Sequence, residues 1–551
     1  MNNFLGRLIL KELEYMNIIM ACFEDGLDNI GFRKISSYIK SINTRTKVAY
    51  IPTGNLRSLL KTIIGKGAGG LSEEDILSIA KFLSKSDIVG ICSMSQYSSM
   101  VKSVISKIRE LNPSTYIIWG GIHPIIHPED AISVADAICT GEGEFAFEQF
   151  IISYRKGEDY KGTPSFWFKT INGIVKNKNL PLMTKPEMDE LPVLLYQNNE
   201  LIFKPNRGFR PINKSDFIEY TGLSYNTVWS IGCPLMCTYC GNSKFIEYDK
   251  GYRRVRHSSP GTIINEIKMA ISKHPHISTI VFHDDSFMAL PTKTIEEFSR
   301  LYKEEIKIPF AVFGVIPNYI DENKIDILVD AGLNRVRMGI QSGSERILEF
   351  YKRPTPMNKI TGGVATLNKY KSYMIPPAFD IILENPAETK EDTIATIDLL
   401  YSLPRPFTLN IFALRVIPNT LMAEDLKHLG YEIPPIDQDY QTGYKPTIGT
   451  ILVFMICFIK VPNFIYRHLR EKVIPAHLEQ KKYPNVLFIV RALYLIDRAL
   501  GHLKYMDFSV IPGKIGYILW RTRFIYLWNK YMVKKFQRNE PVRISERSTQ
   551  V

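Results

Sequence analysis

Residues 227–241 read Thr-Val-Trp-Ser-Ile-Gly-Cys-Pro-Leu-Met-Cys-Thr-Tyr-Cys-Gly. Thr227–Ser230 is short, apolar and β-branched, the signature of a strand. The loop directly behind it carries Cys233, Cys237 and Cys240. Spacers of three and two residues let a tight loop turn three sulfurs toward one small cluster. Iron–sulfur clusters are held by Cys thiolates, and three ligands on a four-iron cube leave one iron open. An open coordination position marks a catalytic metal site, whereas a structural zinc site needs a fourth protein ligand. The next His is His257 and the next Cys is Cys457, so a compact zinc site is disfavoured.

Downstream of this loop, strands and helices alternate. Strands are expected at Thr279–His283, Phe310–Val315, Arg335–Ile340, Ala378–Leu383 and Leu409–Leu414, with helices between them. The count of strand–helix units suits an open, partial (β/α)6 barrel better than a closed eight-fold one. Upstream, strands at Asn17–Ala21, Lys47–Ile51, Asp87–Cys92, Tyr116–Trp119 and Ala137–Cys139 are likewise spaced by helical segments. That pattern predicts a doubly wound parallel sheet, which binds ligands at the carboxyl ends of its strands. The fold class is therefore α/β, in four parts. A Rossmann-like domain covers 14–157, a Pro-, Asn- and Lys-rich linker 158–225, with a hairpin near Asn172-Gly173, the partial barrel 226–425, and a helical region 426–551.

The chain has 551 residues, seven cysteines and a net charge of +13. An odd, sparse set of cysteines is no disulfide framework and points to a reducing, cytoplasmic setting. Met1–Met16 is mixed and charged, without the apolar core of a signal peptide. Ile448–Ile459 is uncharged but short of the ~20 residues of a spanning helix. The basic balance suits a membrane surface or an anionic substrate; no dense basic block interleaved with aromatics supports nucleic acid. Tyr517–Arg538 is aromatic and basic. It reads as a helix that covers the barrel, or as one that makes weak contact with a membrane surface.

Cys233-Pro-Leu-Met-Cys237-Thr-Tyr-Cys240 resembles the CxxxCxxC signature of the radical S-adenosylmethionine (SAM) superfamily. The resemblance implies a 4Fe-4S cluster on Cys233, Cys237 and Cys240, whose open iron chelates SAM, and an external electron donor of the flavodoxin or ferredoxin type. It further implies that Tyr239 lies near the adenine and that Asp284 and Asp285 meet the SAM amino end. Gln341, Ser342 and Glu345 would approach SAM, and Pro386 would belong to the loop after the fifth strand. In that loop the family's usual glycine is replaced by Glu384 or Asn385. Each position also has a plain structural reading: Asp284-Asp285 as a cap, Ser342 or Ser344 as a helix N-cap, and Glu388-Thr389 as turn chemistry.

The N-terminal domain resembles the cobalamin-binding domain of cobalamin-dependent radical SAM enzymes. The resemblance rests on Gly120-Gly121-Ile122-His123-Pro124, Pro128-Glu129 and Gly141-Glu142-Gly143-Glu144, and with the barrel it spans residues 14–425. It implies cobalamin contacts from Ser93, Ser95, Gly120, Gly121, His123, Gly141, Glu142 and Gly143. The glycines would allow close backbone approach to a flat ligand. The cobalt-ligating Asp-x-His-x-x-Gly motif is missing, and no His precedes His123. His123 and His127 could also read as a metal pair, against which Pro124 and Pro128 argue by disfavouring a helix. The activity implied is C-methylation of a small-molecule or lipid-like substrate at an unactivated carbon, using a 5′-deoxyadenosyl radical and methylcobalamin. A cyclisation or rearrangement, or a cobalamin-free first domain, are the alternatives. An RNA methylthiotransferase would need a second cysteine triad upstream, and a non-enzymatic sensor would have no use for the later strand-end motifs.

Overall fold

The computed structural model describes residues 16–53, 71–433 except 195, 197, 198, 415 and 418, residue 453, residues 460–473, and isolated positions from 496 to 527. The chain divides into two compact units. One comprises residues 1–214, 235–254 and 415–444; the other comprises residues 215–234, 255–414 and 445–551.

The first unit is built on a nine-stranded sheet. Its centre is five parallel strands: β1 (Ile18–Glu24), β2 (Lys47–Pro52), β3 (Ile88–Ser93), β4 (Tyr116–Gly120) and β5 (Ala137–Cys139). Their apolar, β-branched runs are buried on both faces, as expected where helices cover a parallel sheet. Local signals set the helix starts: Asn29 accepts from the Phe32 N–H at 2.7 Å, and Ser72 with Asp75 forms a capping box ahead of Glu73–Leu83.

The stretch expected to be a linker instead extends this sheet. The hairpin β6 (Phe166–Thr170) and β7 (Gly173–Lys176) adds to β5, and the hairpin β8 (Leu201–Lys204) and β9 (Gly208–Pro211) adds to β2. The order is β7-β6-β5-β4-β3-β1-β2-β8-β9. The hairpin at Asn172-Gly173 is present, with Gly173 at φ +114°. β7 is open to solvent along its length, whereas β6 and β8 are short apolar runs, Phe166-Trp167-Phe168 and Leu201-Ile202-Phe203, set in polar surroundings.

The second unit holds a six-stranded, all-parallel sheet in chain order: β10 (Ser224–Thr227), β13 (Thr279–Phe282), β14 (Phe310–Val315), β15 (Leu333–Gln341), β16 (Ala378–Leu383) and β17 (Thr408–Ala413). The first strand therefore starts and ends earlier than the sequence suggests. Ser230–Ile231 (β11) pairs antiparallel with Arg256–His257 (β12) rather than continuing the sheet. Among the described residues no helix is long and apolar enough to cross a membrane. Ile448–Ile459 and Tyr517–Arg538 lie, but for a few positions, outside the described residues.

Candidate functional site

In the barrel unit the cysteine loop is anchored before it begins. Asp284, at the end of β13, is buried, and its carboxylate accepts from the Trp229 N–H at 3.0 Å, from the Ser230 N–H at 2.7 Å and from the Ser230 hydroxyl. The Trp229 indole donates to the Ser258 carbonyl at 2.9 Å. Burial pushes the Asp284 carboxyl up to about 6, partly offset by these donors. Asp284 was expected to meet SAM, but its oxygens are already occupied: it holds the segment leading into Cys233. Asp285 is exposed and accepts from the Gly232 N–H at 3.4 Å. Gly314 makes this possible. At φ +67°, a Cβ there would lie 1.9 Å from the Asp284 carbonyl oxygen. A lone glycine inside a strand was the only signal of this in the sequence.

The three thiols form no disulfide. Cys237 is buried and Cys233 and Cys240 are half-buried. The Cys240 N–H donates to the Cys237 carbonyl at 3.0 Å, and the Ser243 hydroxyl donates to the Cys240 carbonyl at 2.7 Å, which turns the loop into the helix Asn242–Tyr248. Among the described residues no three His, Cys, Asp or Glu side chains stand as a ready metal-holding group. The fit to a cluster therefore lies in the donor chemistry: three thiols, none oxidised to a disulfide, in one tight turn. Tyr239, beside the third of them, is half-buried.

At the end of β15, Gln341 takes φ +73°, a left-handed conformation rare outside glycine. Ser342 is buried, accepts from the Ser344 N–H at 3.1 Å and meets the Thr396 hydroxyl at 3.2 Å. Gly343 is seated on the helix Lys390–Ser402, where a Cβ would lie 2.6 Å from the Ala395 carbonyl. Ser344 is the N-cap of Glu345–Phe350, so its plain structural reading holds, and Glu345 is exposed in the first turn. Asp392, missed in the sequence, ties these loops together. It accepts from Ser344, Arg346 and the Thr389 N–H. Burial alone would raise its pKa; the donors outweigh burial and hold it well below the usual carboxylate range.

Pro386 is exposed in the loop after β16. Glu384 takes φ +60°, so it adopts the left-handed backbone that a glycine would favour, and the altered position is Glu384 rather than Asn385. Glu388 is pushed up to about 7 by burial, with Asp392 adding to the shift. Its Oε1 has no hydrogen-bond partner.

In the first unit the expected cobalamin positions gather at the carboxyl ends of β3, β4 and β5. Ser93 accepts from the Trp119 indole at 3.0 Å. Ser95 is 5% exposed and its hydroxyl has no partner. A buried orphan hydroxyl is costly unless a ligand satisfies it, so Ser95 fits a polar group of cobalamin. Gly120 has room beside it, since a Cβ would meet nothing closer than 3.9 Å. The other expected glycines are packed closely by the protein's own atoms. A Cβ on Gly121 (φ +91°) would lie 2.9 Å from Cys92 Sγ, on Gly141 2.8 Å from Ser165 Oγ, and on Gly143 2.5 Å from Ile35 Cδ1. Glu142 accepts from the Met183 N–H at 2.8 Å, which ties its loop to the segment behind β7.

His123 is buried against Trp119, with ring centroids 4.8 Å apart, and its Nε2 lies 3.0 Å from Asp130 Oδ2. The prolines do not prevent helix here. Ile122–Ile126 and Pro128–Ile132 are short helices, because Pro is tolerated in a first turn where N–H groups have no intrahelical partner. His127 packs on His123 at 5.5 Å, and its pKa falls to about 4, chiefly through burial and then through His123. Its Nδ1 lies 3.0 Å from the Asn419 amide. From Leu235 onward the chain belongs to this first unit, where a Cβ on Gly241 would touch Ile126 at 3.9 Å. The helix Asn242–Tyr248 packs on Ile122–Ile126, and the Thr238 carbonyl accepts from the Met422 N–H at 3.2 Å.

Comparison with known proteins gives this architecture its family. Residues 227–400 match the radical SAM superfamily and residues 17–151 the B12 binding domain. The chain belongs to the radical SAM superfamily and carries a B12 binding domain ahead of its barrel; it is a cobalamin-dependent radical SAM enzyme. It is 29% identical over 336 residues to the uncharacterized methyltransferase PH0819 of Pyrococcus horikoshii, an alignment covering 60% of this chain and 67% of the relative. It is 22% identical to the anaerobic magnesium-protoporphyrin IX monomethyl ester cyclase of Rubrivivax gelatinosus, over 59% of this chain and 56% of the relative. The fold matches that of the radical SAM methyltransferase TsrM of Kitasatospora setae, solved with cobalamin and a [4Fe-4S] cluster. The TM-score is 0.59 at 15% identity, covering 76% of each chain.

Proposed function

We propose that this chain is a C-methyltransferase that uses a radical to methylate an unactivated carbon of a small molecule. Cys233, Cys237 and Cys240 would hold the cluster, and Ser95 with the Gly120 edge of the sheet would meet cobalamin. When bound, SAM and cobalamin supply a hydrogen-abstracting radical and a transferable methyl group. The chain's own residues position these groups. Asp284 fixes the strand that leads into the cysteine loop. Asp392 locks the loops after β15 and β16 to each other.

The observation that carries this reading is the packing of the helix Asn242–Tyr248, directly behind Cys240, onto the short helix Ile122–Ile126 that bears His123. A cluster loop built onto the B12 binding domain suits chemistry that needs both cofactors. The similarity to PH0819, named as a methyltransferase, points the same way. An electron donor of the flavodoxin or ferredoxin type belongs to this reading, since a radical SAM cluster must be reduced before it can act, and so does a cytoplasmic setting. A weak membrane-surface contact rests on the basic, aromatic composition of residues 517–538 alone.

A second reading, a methyl-free cyclisation, draws on the likeness to the Rubrivivax cyclase. Methyl-labelled SAM separates the two. Methylation predicts label in an organic product together with 5′-deoxyadenosine, whereas label retained wholly in methionine and unreacted SAM would sink the methyltransferase assignment.

A further inference from the structure

The strands of the barrel carry a polar row that none of the SAM-binding motifs includes. On β15, Arg337 stands between Val336 and Met338, which are fully buried, while Arg337 itself is partly open. Its Nε donates to both oxygens of Asp380 on β16, at 2.8 and 3.0 Å. Asp380 also accepts from the Asn410 amide on β17 at 2.9 Å, its register partner across the ladder. The guanidinium is flanked by Phe313 on β14 at 5.4 Å and Phe412 on β17 at 5.5 Å. Phe412 is 43% exposed, unusual for a large aromatic on a barrel strand.

This geometry leaves the two terminal nitrogens unused. Nε alone contacts Asp380, and among the described residues Nη1 and Nη2 make no hydrogen bond. Asp380 and Asn410 fix the plane of the guanidinium, so its free edge is preorganised. A planar edge with two parallel N–H donors matches a carboxylate in bidentate fashion. His283, whose ring lies 5.0 Å from that of Phe313, has its pKa lowered to about 4 by desolvation and then by Arg337. Arg335, two residues earlier on β15, is a second cation at Phe313, its guanidinium 5.8 Å from the ring centroid.

We propose that the Phe313–Arg337–Phe412 cluster is the substrate anchor, binding a carboxylate on the free guanidinium edge with the attached apolar body against the exposed Phe412 ring. This deepens the methyltransferase reading by naming a substrate class, and it rests on the barrel being the reaction chamber. The net charge of +13 agrees with an anionic substrate.

The test is fluorine NMR on the anaerobically reconstituted full chain, saturated with SAM, with 4-fluorobenzoate as the probe. Line broadening is expected for 4-fluorobenzoate and not for 4-fluorotoluene, which lacks the carboxylate. Arg337→Gln should weaken the carboxylate probe by about tenfold or more. Arg337→Lys keeps a cation beside Asp380 but loses the fork, so it should also weaken binding and guards against a misfolded Gln variant. Equal affinity in a folded Arg337→Lys or Arg337→Gln protein would overturn the proposal. So would equal binding of 4-fluorotoluene, or binding of the carboxylate probe only in a parallel sample without SAM, which would make the anchor a site for SAM's own carboxylate. Formation of 5′-deoxyadenosine by the wild-type chain is measured separately. Its absence would sink the radical reading while leaving the carboxylate result standing.

Discussion

Replacing Cys233, Cys237 or Cys240 singly by Ala should abolish the 4Fe-4S absorption of the reconstituted protein and reduce 5′-deoxyadenosine formation to background. With three protein thiolates for a four-iron cube, the loss of any one leaves two ligands for the whole cluster. The effect should exceed the roughly 10–100-fold cost of disturbing groups that merely support a metal ligand. Stability should change little. Cys233 and Cys240 are half-buried, and removing one sulfur from such a position costs on the order of 1 kcal/mol or less. Cys237 is 6% exposed, so its replacement should cost somewhat more. Cys22, Cys92 and Cys139 lie on β1, β3 and β5 of the other sheet, and Ser in their place should leave cluster content unchanged. Iron and sulfide analysis with melting curves checks both halves of the expectation.

The second large effect is expected at Asp284, which need not touch iron or SAM to matter. Asp284→Ala strands the Trp229 and Ser230 N–H groups without acceptors. Asp284→Asn places an amide donor against one of them. Each buried donor left unsatisfied costs about 1–3 kcal/mol, for a total near 4 kcal/mol. The strand entering the cysteine loop should loosen, with a lower melting temperature and poor cluster retention. The wild type carries a related pH dependence. The Asp284 carboxyl is raised above its ordinary value, to about 6, chiefly by burial. The folded chain thus binds this proton more tightly than the unfolded chain does. The stabilising contribution is fully present below the ordinary carboxylate range and is lost as pH rises through about 6. Differential melting of wild type and Asp284→Asn from pH 4 to 8 measures it, and identical slopes would remove Asp284 from this role.

The parallel strands were legible because their apolar runs are buried on both faces, as in Ile88–Ser93 and Ala378–Leu383. The edge hairpins were not: β7 is exposed throughout, and the apolar runs of β6 and β8 are only three residues long between polar, proline- and asparagine-rich stretches. The first barrel strand was displaced by three residues because Tyr225 and Trp229 are both buried aromatics, and periodicity alone could not choose between them. The cysteine motif needed only its spacing. The role of Asp284 could not be read, since a carboxylate at a strand end looks the same whether it meets a ligand or clamps a neighbouring backbone. Gly121, Gly141 and Gly143 posed a similar ambiguity: the sequence shows that a side chain is absent, while only the structure shows that Cys92, Ser165 and Ile35 fill the space. The Arg337–Asp380–Asn410 row depends on register across β15, β16 and β17, which no local pattern encodes.

The most direct measurement is electron paramagnetic resonance of the reduced, reconstituted wild-type chain with and without SAM. A cluster bound by three cysteines has one iron free, so its signal should shift when SAM is added. A signal indifferent to SAM would mean that a fourth protein ligand closes the cluster, and would contradict the account.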